Sequence, residues 1–177
     1  RQMNKFLLLC CIAISSVVYA QEFEISQEGI LERGTNKDFV IIKSDGKSAK
    51  ELYNSAVKHI GKINGKVLED EKYERLKWQV YVPKITYIEE LLAKNYIDAY
   101  ITIQLSFKDN RAKYEVVAAD FKCPGNGKSL VIRSSGMSDP SYFIYRRNGV
   151  LVETKAKNDI EDFFKRDIKS ILEQDNW

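Results

Sequence analysis

His59 is the only histidine in the chain, and Cys123 is the only cysteine beyond the first eleven residues. A serine triad, a histidine-paired thiol or a multi-histidine zinc site would each have to use His59. That residue lies beside an apolar helical stripe, three positions after Ala56 and four before Ile63, where a partly exposed imidazole on the helix flank is expected. Cys123 precedes Pro124 with no histidine nearby in sequence, and an inert thiol is expected there.

Phosphate chemistry has two apparent footholds. Gly46-Lys47-Ser48 follows a strand-like run and opens a helix, the order of a phosphate-binding loop, but Ile41 stands where the first glycine of that motif must be. Gly127-Lys128-Ser129 fails in the same way, with Lys122 at the required glycine. Nucleotide binding is therefore not expected, and no cofactor is assigned. Glu69, Asp70 and Glu71 lack the spaced carboxylates and central glycine of a calcium loop, so no metal site is assigned either. Glu89 and Glu90 could belong to a glycosidase pair only if two carboxyl groups faced one another across a cleft, and adjacent side chains diverge.

A third set of residues suits binding. Leu76, Trp78, Val80 and Val82 alternate with Lys77, Gln79 and Tyr81, and Ala99, Ile101, Ile103, Leu105 and Phe107 alternate with Tyr100, Thr102, Gln104 and Ser106. Period-two alternation means two strands with one face buried. The polar faces then put Lys77, Gln79, Tyr81, Tyr100, Thr102 and Gln104 together. A tyrosine-bearing polar sheet face can hold a glycan, a peptide or a second subunit, so these six are the candidate binding residues.

The elements that must position them follow from the remaining pattern. Phe39 to Ile42 reads as a short buried strand. Ser48 with Glu51 forms a capping box ahead of a helix with Leu52, Ala56, Val57, Ile60 and Ile63 on one stripe, ended by Asn64 and Gly65. Pro83 closes the first long strand, and Ile85 to Tyr96 suits either a short helix or a loop. After a turn at Lys108 to Arg111, Tyr114 to Phe121 returns as the hairpin partner of the second long strand. Most of Cys123 to Pro140 reads as a long loop, with a short strand at Leu130 to Arg133. Asn148-Gly149 joins Tyr142–Arg147 to Val150–Lys155 as a hairpin. A last helix is capped by Asn158 with Glu161 and carries Ile160, Phe163, Phe164, Ile168, Ile171 and Leu172 on its apolar stripe. The fold class is α+β, an antiparallel sheet with two main helices packed on one face and the other face open.

The start of the chain speaks to compartment. Met3 and Lys5 precede an apolar stretch from Phe6 to Ile14 and a cleavage site of small residues ending in Ala20, the order of a secretory signal peptide. Residues 1–20 are expected to be removed, Arg1 and Gln2 being extraneous, which leaves a secreted or periplasmic protein beginning at Gln21. Retention of Cys10 or Cys11 as a lipid anchor is the less favoured reading. No run approaches the roughly 20 apolar residues of a membrane helix. Residues 21–38 are expected as an N-terminal extension and 39–177 as a single domain. The chain has 28 basic and 25 acidic side chains, and without Arg1 and Lys5 the basic count is 26. That balance argues against nucleic acid as partner.

The strand at Phe39 to Ile42, the capped helix with Leu52 and Tyr53, and the turn Lys108-Asp109-Asn110-Arg111 followed by Tyr114 together resemble a secreted family of unknown function from Bacteroidetes-type bacteria, whose fold is similar to the TATA-binding-protein (TBP) half-domain. The resemblance covers most of the chain from Phe39 onward, with Lys84 to Tyr96 as an insertion. It implies a TBP-like fold and an exported setting, and it transfers no catalytic residue. The expected function is a non-enzymatic binding or interaction module using the open sheet face, with an unknown protein, peptide or glycan partner or self-association. The alternatives are a carboxylate-based hydrolase of an extracellular polymer and a lipid-anchored envelope component.

Overall fold

The computed structural model describes residues 22–136, 138 and 140–173. The expected leader, with Cys10 and Cys11, lies outside them. A hairpin of β1 (Phe23–Ser26) and β2 (Gly29–Glu32) comes first, followed by β3 (Phe39–Lys43) and helix α1 (Ala49–Lys62). Then come β4 (Lys66–Glu71), β5 (Arg75–Glu90), β6 (Ala93–Lys108) and β7 (Arg111–Lys122). Two short strands, β8 (Leu130–Arg133) and β9 (Tyr142–Tyr145), precede helix α2 (Thr154–Leu172). The main sheet is antiparallel in the order β3-β7-β6-β5-β4. Both helices pack against one face, over Leu76, Trp78, Ile101, Ile103, Leu105 and Tyr114. This is the expected α+β arrangement. No helix among the described residues is long and apolar enough to cross a membrane.

Helix α1 begins and ends as its sequence directs. The Ser48 hydroxyl accepts from the Glu51 amide while the Glu51 carboxylate accepts from the Ser48 amide, so two otherwise orphaned donors are satisfied. At the other end Asn64 takes the left-handed backbone at φ 53°, and the Gly65 amide donates to the Ile60 carbonyl at 2.9 Å. Gly65 is required for a different reason. A Cβ there would lie 2.9 Å from Ile60 Cγ2 and 3.1 Å from Trp78 Cδ1, so only glycine lets the helix end sit on the core tryptophan.

The buried face of α1 is rotated from the expected stripe. Tyr53, Ser55 and His59 are buried with Leu52, Ala56 and Ile60, whereas Val57 is exposed. The cause is a polar cluster in the core. Asp167 of α2 accepts from His59 Nε2 at 2.7 Å and from the Tyr114 hydroxyl of β7 at 2.7 Å. Expected as a partly exposed flank residue, His59 is only 5% exposed. Its partner lies 108 positions along the chain, beyond the reach of any local pattern.

Helix α2 starts earlier than expected. It begins at Thr154 behind Glu153, which makes no side-chain cap bond, so Asn158 is an interior helical residue rather than the cap. Glu161, expected to complete that cap, instead accepts the Ile25 amide at 2.8 Å and is paired with Lys157. The bond explains a second difference. Residues 21–38, expected as an extension ahead of the domain, include the β1–β2 hairpin, whose Phe23 and Ile25 are core residues. The Phe23 ring lies 5.6 Å from that of Tyr114 and 5.3 Å from that of Phe164.

Three further expectations change. β5 does not stop at Pro83 but runs on to Glu90, and β6 begins at Ala93, so Ile85 to Tyr96 is neither helix nor loop but the outer half of a long hairpin. Asn148-Gly149 does make a turn, with the Gly149 amide on the Arg146 carbonyl, but beyond it only a single bridge, Tyr145 to Leu151, forms before the helix. β9 pairs instead with β8, in parallel.

Two outcomes follow. Phe23→Ala should cost about 3–5 kcal/mol, as expected for a buried aromatic ring, measured as a lowered urea midpoint at unchanged slope; a loss below about 1 kcal/mol would place Phe23 outside the core. Burial first, and the Asp167 charge second, hold the Tyr114 phenol well above its ordinary value of 10. A raised folded pKa contributes stability that is complete below the unfolded value and is lost as pH rises past it. Phenolate absorbance from one tyrosine should therefore appear only together with loss of circular dichroism, at pH above 10, and that coupling should vanish in Tyr114→Phe.

Candidate functional site on the open sheet face

The six expected binding residues do share one face. Cross-strand register pairs Tyr81 with Tyr100, Gln79 with Thr102 and Lys77 with Gln104, all pointing away from the helices. The two tyrosines are 48% and 44% exposed, with ring centroids 5.0 Å apart and planes inclined at 37°. The other four are less available. Thr102 is buried by its neighbours. Gln104 donates to Glu115 at 3.1 Å, and the Lys77 ammonium sits 2.9 Å from Glu69.

Several charges on this face are paired within it, whereas Lys66, Lys108 and Arg111 lie on it as well. Lys113 meets Glu115 at 2.6 Å, Lys122 meets Asp120 at 3.2 Å, and Arg75 pairs with Glu71. Exposed pairs of this kind contribute about 0–1 kcal/mol each to stability. The tyrosine pair is the most prominent aromatic feature of the face.

Sequence reasoning missed the residue that organises this feature. Asp98 alternates outward between Ile97 and Ala99, next to Tyr100 on the same strand. Its Oδ2 accepts the Tyr81 hydroxyl at 2.5 Å and its Oδ1 accepts the Lys84 amide at 2.8 Å. The second bond belongs to a bulge. Between the pairs Val82–Ala99 and Thr86–Ile97, β5 carries two more residues than β6. Pro83 has no N–H to offer a ladder and Lys84 adopts φ 51°, so the strand bends there rather than ending. The carboxylate that staples this bend also orients the tyrosine. Hydrogen bonding to Asp98 raises the Tyr81 pKa above its ordinary 10. The outward alternation of Asp98 beside Tyr100 was a readable signal; the bulge that brings Lys84 back to it was not.

The other candidates resolve into structural roles. Gly46-Lys47-Ser48 packs on the β6–β7 turn, where Asn110 accepts the Gly46 amide at 2.8 Å and Asp109 accepts the Ala49 amide at 2.9 Å. A carboxylate of the chain thus occupies the helix terminus that a phosphate would need. Asp70 accepts the Tyr53 hydroxyl, while Glu69 and Glu71 pair with Lys77 and Arg75. Glu90 accepts the Tyr142 hydroxyl at 2.9 Å and lies 3.6 Å from the Lys128 ammonium, and Glu89 is the register partner of Lys94. Cys123 is buried.

Set beside solved structures, this arrangement has a counterpart. A DUF4468 family protein from Bacteroides ovatus superposes with a TM-score of 0.53 at 12% identity, over 78% of this chain and 87% of that one. The two share a fold. A TBP-like protein from Parabacteroides distasonis aligns with a TM-score of 0.49 at 11% identity, over 75% of this chain and 90% of that one. The first neighbour comes from the group of bacteria that the sequence resemblance indicated and from a domain family of unknown function. No protein-family profile and no curated protein matches this sequence. At such identity the scaffold is common and the side chains on it are this chain's own.

Asp98→Asn keeps an acceptor near Tyr81 while removing the charge. Tyrosine-resolved NMR titration should then show Tyr81 ionising closer to 10 than in the parent protein. An unchanged Tyr81 titration would mean that Asp98 does not hold its hydroxyl.

Proposed function

We propose that the protein is an exported, non-enzymatic binding domain that captures a glycan or an extended peptide on its open sheet face. The observation that carries this reading is the Tyr81–Tyr100 pair, two half-exposed rings 5.0 Å apart with the Asp98 carboxylate beside them. Aromatic faces supply contact area at low entropic cost, and a fixed carboxylate and the Gln79 amide supply direction. Export rests on the leader-like residues 1–20. The near balance of 28 basic and 25 acidic side chains in the chain favours a neutral or mixed-charge ligand over nucleic acid, whose affinity depends on concentrated cations meeting phosphates.

Retention on immobilised glycans and on peptide arrays tests this. Replacing Tyr81 and Tyr100 together by Ser should weaken capture by about tenfold or more, the loss expected when aromatic contacts at the centre of an interface are removed. The melting temperature should change little, because both rings lie outside the core. Undiminished capture by the folded double variant would remove the sheet face as the site.

A further inference from the structure

The tip of the β5–β6 hairpin breaks two rules at one place. Glu90 pairs with Ala93, so Leu91 and Leu92 are the two-residue loop. Their φ values are 50° and 68°, a pair of left-handed conformations that such loops normally assign to Asn and Gly. The same leucines are 96% and 105% exposed. Water disfavours the side chains and the backbone disfavours the residue type, and neither folding nor solubility gains from the pair.

What lies behind the tip indicates what covers it. Tyr87 and Tyr96 are register partners with ring centroids 5.9 Å apart. Lys94 and Lys84 hold their ammonium groups over these rings, at 4.5 Å and 5.0 Å. Leu91 lies four positions beyond Tyr87, about 13 Å along an extended strand. That spacing places apolar side chains within hydrocarbon while the tyrosines and their lysines stay at headgroup level, the layering found where proteins enter a bilayer surface. The hairpin is also anchored to the body along its outer half, as far as Glu90, which accepts the Tyr142 hydroxyl. Ile88 is buried, and Thr86 donates to Asp159 of α2 at 2.7 Å.

We infer that Leu91 and Leu92 form a wedge that inserts into the surface of a lipid bilayer. The tip is a convex end with no groove of its own, suited to a fluid phase that closes around it. Around the tip Lys84, Lys94, Lys128 and Lys155 face Glu89, Glu90 and Asp159, an excess of one positive charge, so insertion is driven mainly by the leucines and tyrosines, with weak dependence on lipid charge. This inference is independent of the sheet-face reading, because neither leucine belongs to that face.

Flotation with phosphatidylcholine vesicles tests it. The parent protein should float with the vesicles, and adding phosphatidylglycerol should change its partition by less than about threefold. Replacing Leu91→Asn together with Leu92→Gly should lower the partition coefficient by about a hundredfold, the loss of two buried leucines, while raising the melting temperature because the turn receives its preferred residues. Replacing both leucines by Met should preserve flotation. The wedge is overturned if the parent fails to float, if it floats only with phosphatidylglycerol, or if the Asn-Gly variant floats equally well. A tip-dependent soluble dimer without flotation would assign the leucines to a second copy and equally overturn it.

Discussion

A buried carboxylate holds the architecture in register. Asp167 joins α2 to α1 through His59 and to the middle of the sheet through Tyr114, so one side chain sets how both helices lie on the strands. Such a cluster adds less net stability than its bond lengths imply, because three polar groups were taken from water to build it. Its effect is selective. A helix rotated or shifted by one residue would leave a carboxylate, an imidazole or a phenol buried without a partner, at a cost of about 1–3 kcal/mol or more per group. That penalty selects one packing of the helices, and one packing determines which sheet face they cover and which is left open.

The N-terminal hairpin completes the same arrangement. Phe23 fills the space between Tyr114 and Phe164, so the aromatic group that supplies one bond to Asp167 is itself held by a strand from the start of the chain. Glu161 then fixes the backbone of that strand, six positions before Asp167 on the same helix. Core packing and polar fixation are therefore interleaved along α2, and the hairpin is part of the domain rather than an appendage.

Much of this was legible from local pattern. The alternation through Leu76–Val82 and Ala99–Phe107 located the long strands and the six residues of the outer face, because strand periodicity is a property of neighbouring residues. The capping box at Ser48 and the turn at Asn110 were readable for the same reason. What stayed hidden depends on distant partners. His59 reads as a flank residue until Asp167 is beside it, and Asn158 reads as a cap until Glu161 is drawn to Ile25. Pro83 reads as a strand end until the Asp98 carboxylate takes the Lys84 amide across the bulge. Polar residues carry their role in their partners, whereas apolar ones carry it in their spacing.

Local preference and global fold disagree most openly at the two ends of the long hairpin's outer half. At the bulge the disagreement is resolved within the chain, since Asp98 satisfies a backbone donor that Pro83 and the positive φ of Lys84 would otherwise leave without a ladder partner. At the tip no such resolution is present: Leu91 and Leu92 take left-handed conformations without touching the core. Natural sequences are locally consistent where only folding is at stake, and exceptions concentrate where a surface does something else. The scaffold shared with the DUF4468 protein at 12% identity constrains strand order and helix placement, but not the residues at either exception. Function on a common fold resides in its sites, and in this chain the departures from local rule and the exposed aromatic pair lie along one continuous ribbon, from Tyr81 through the tip to Tyr100.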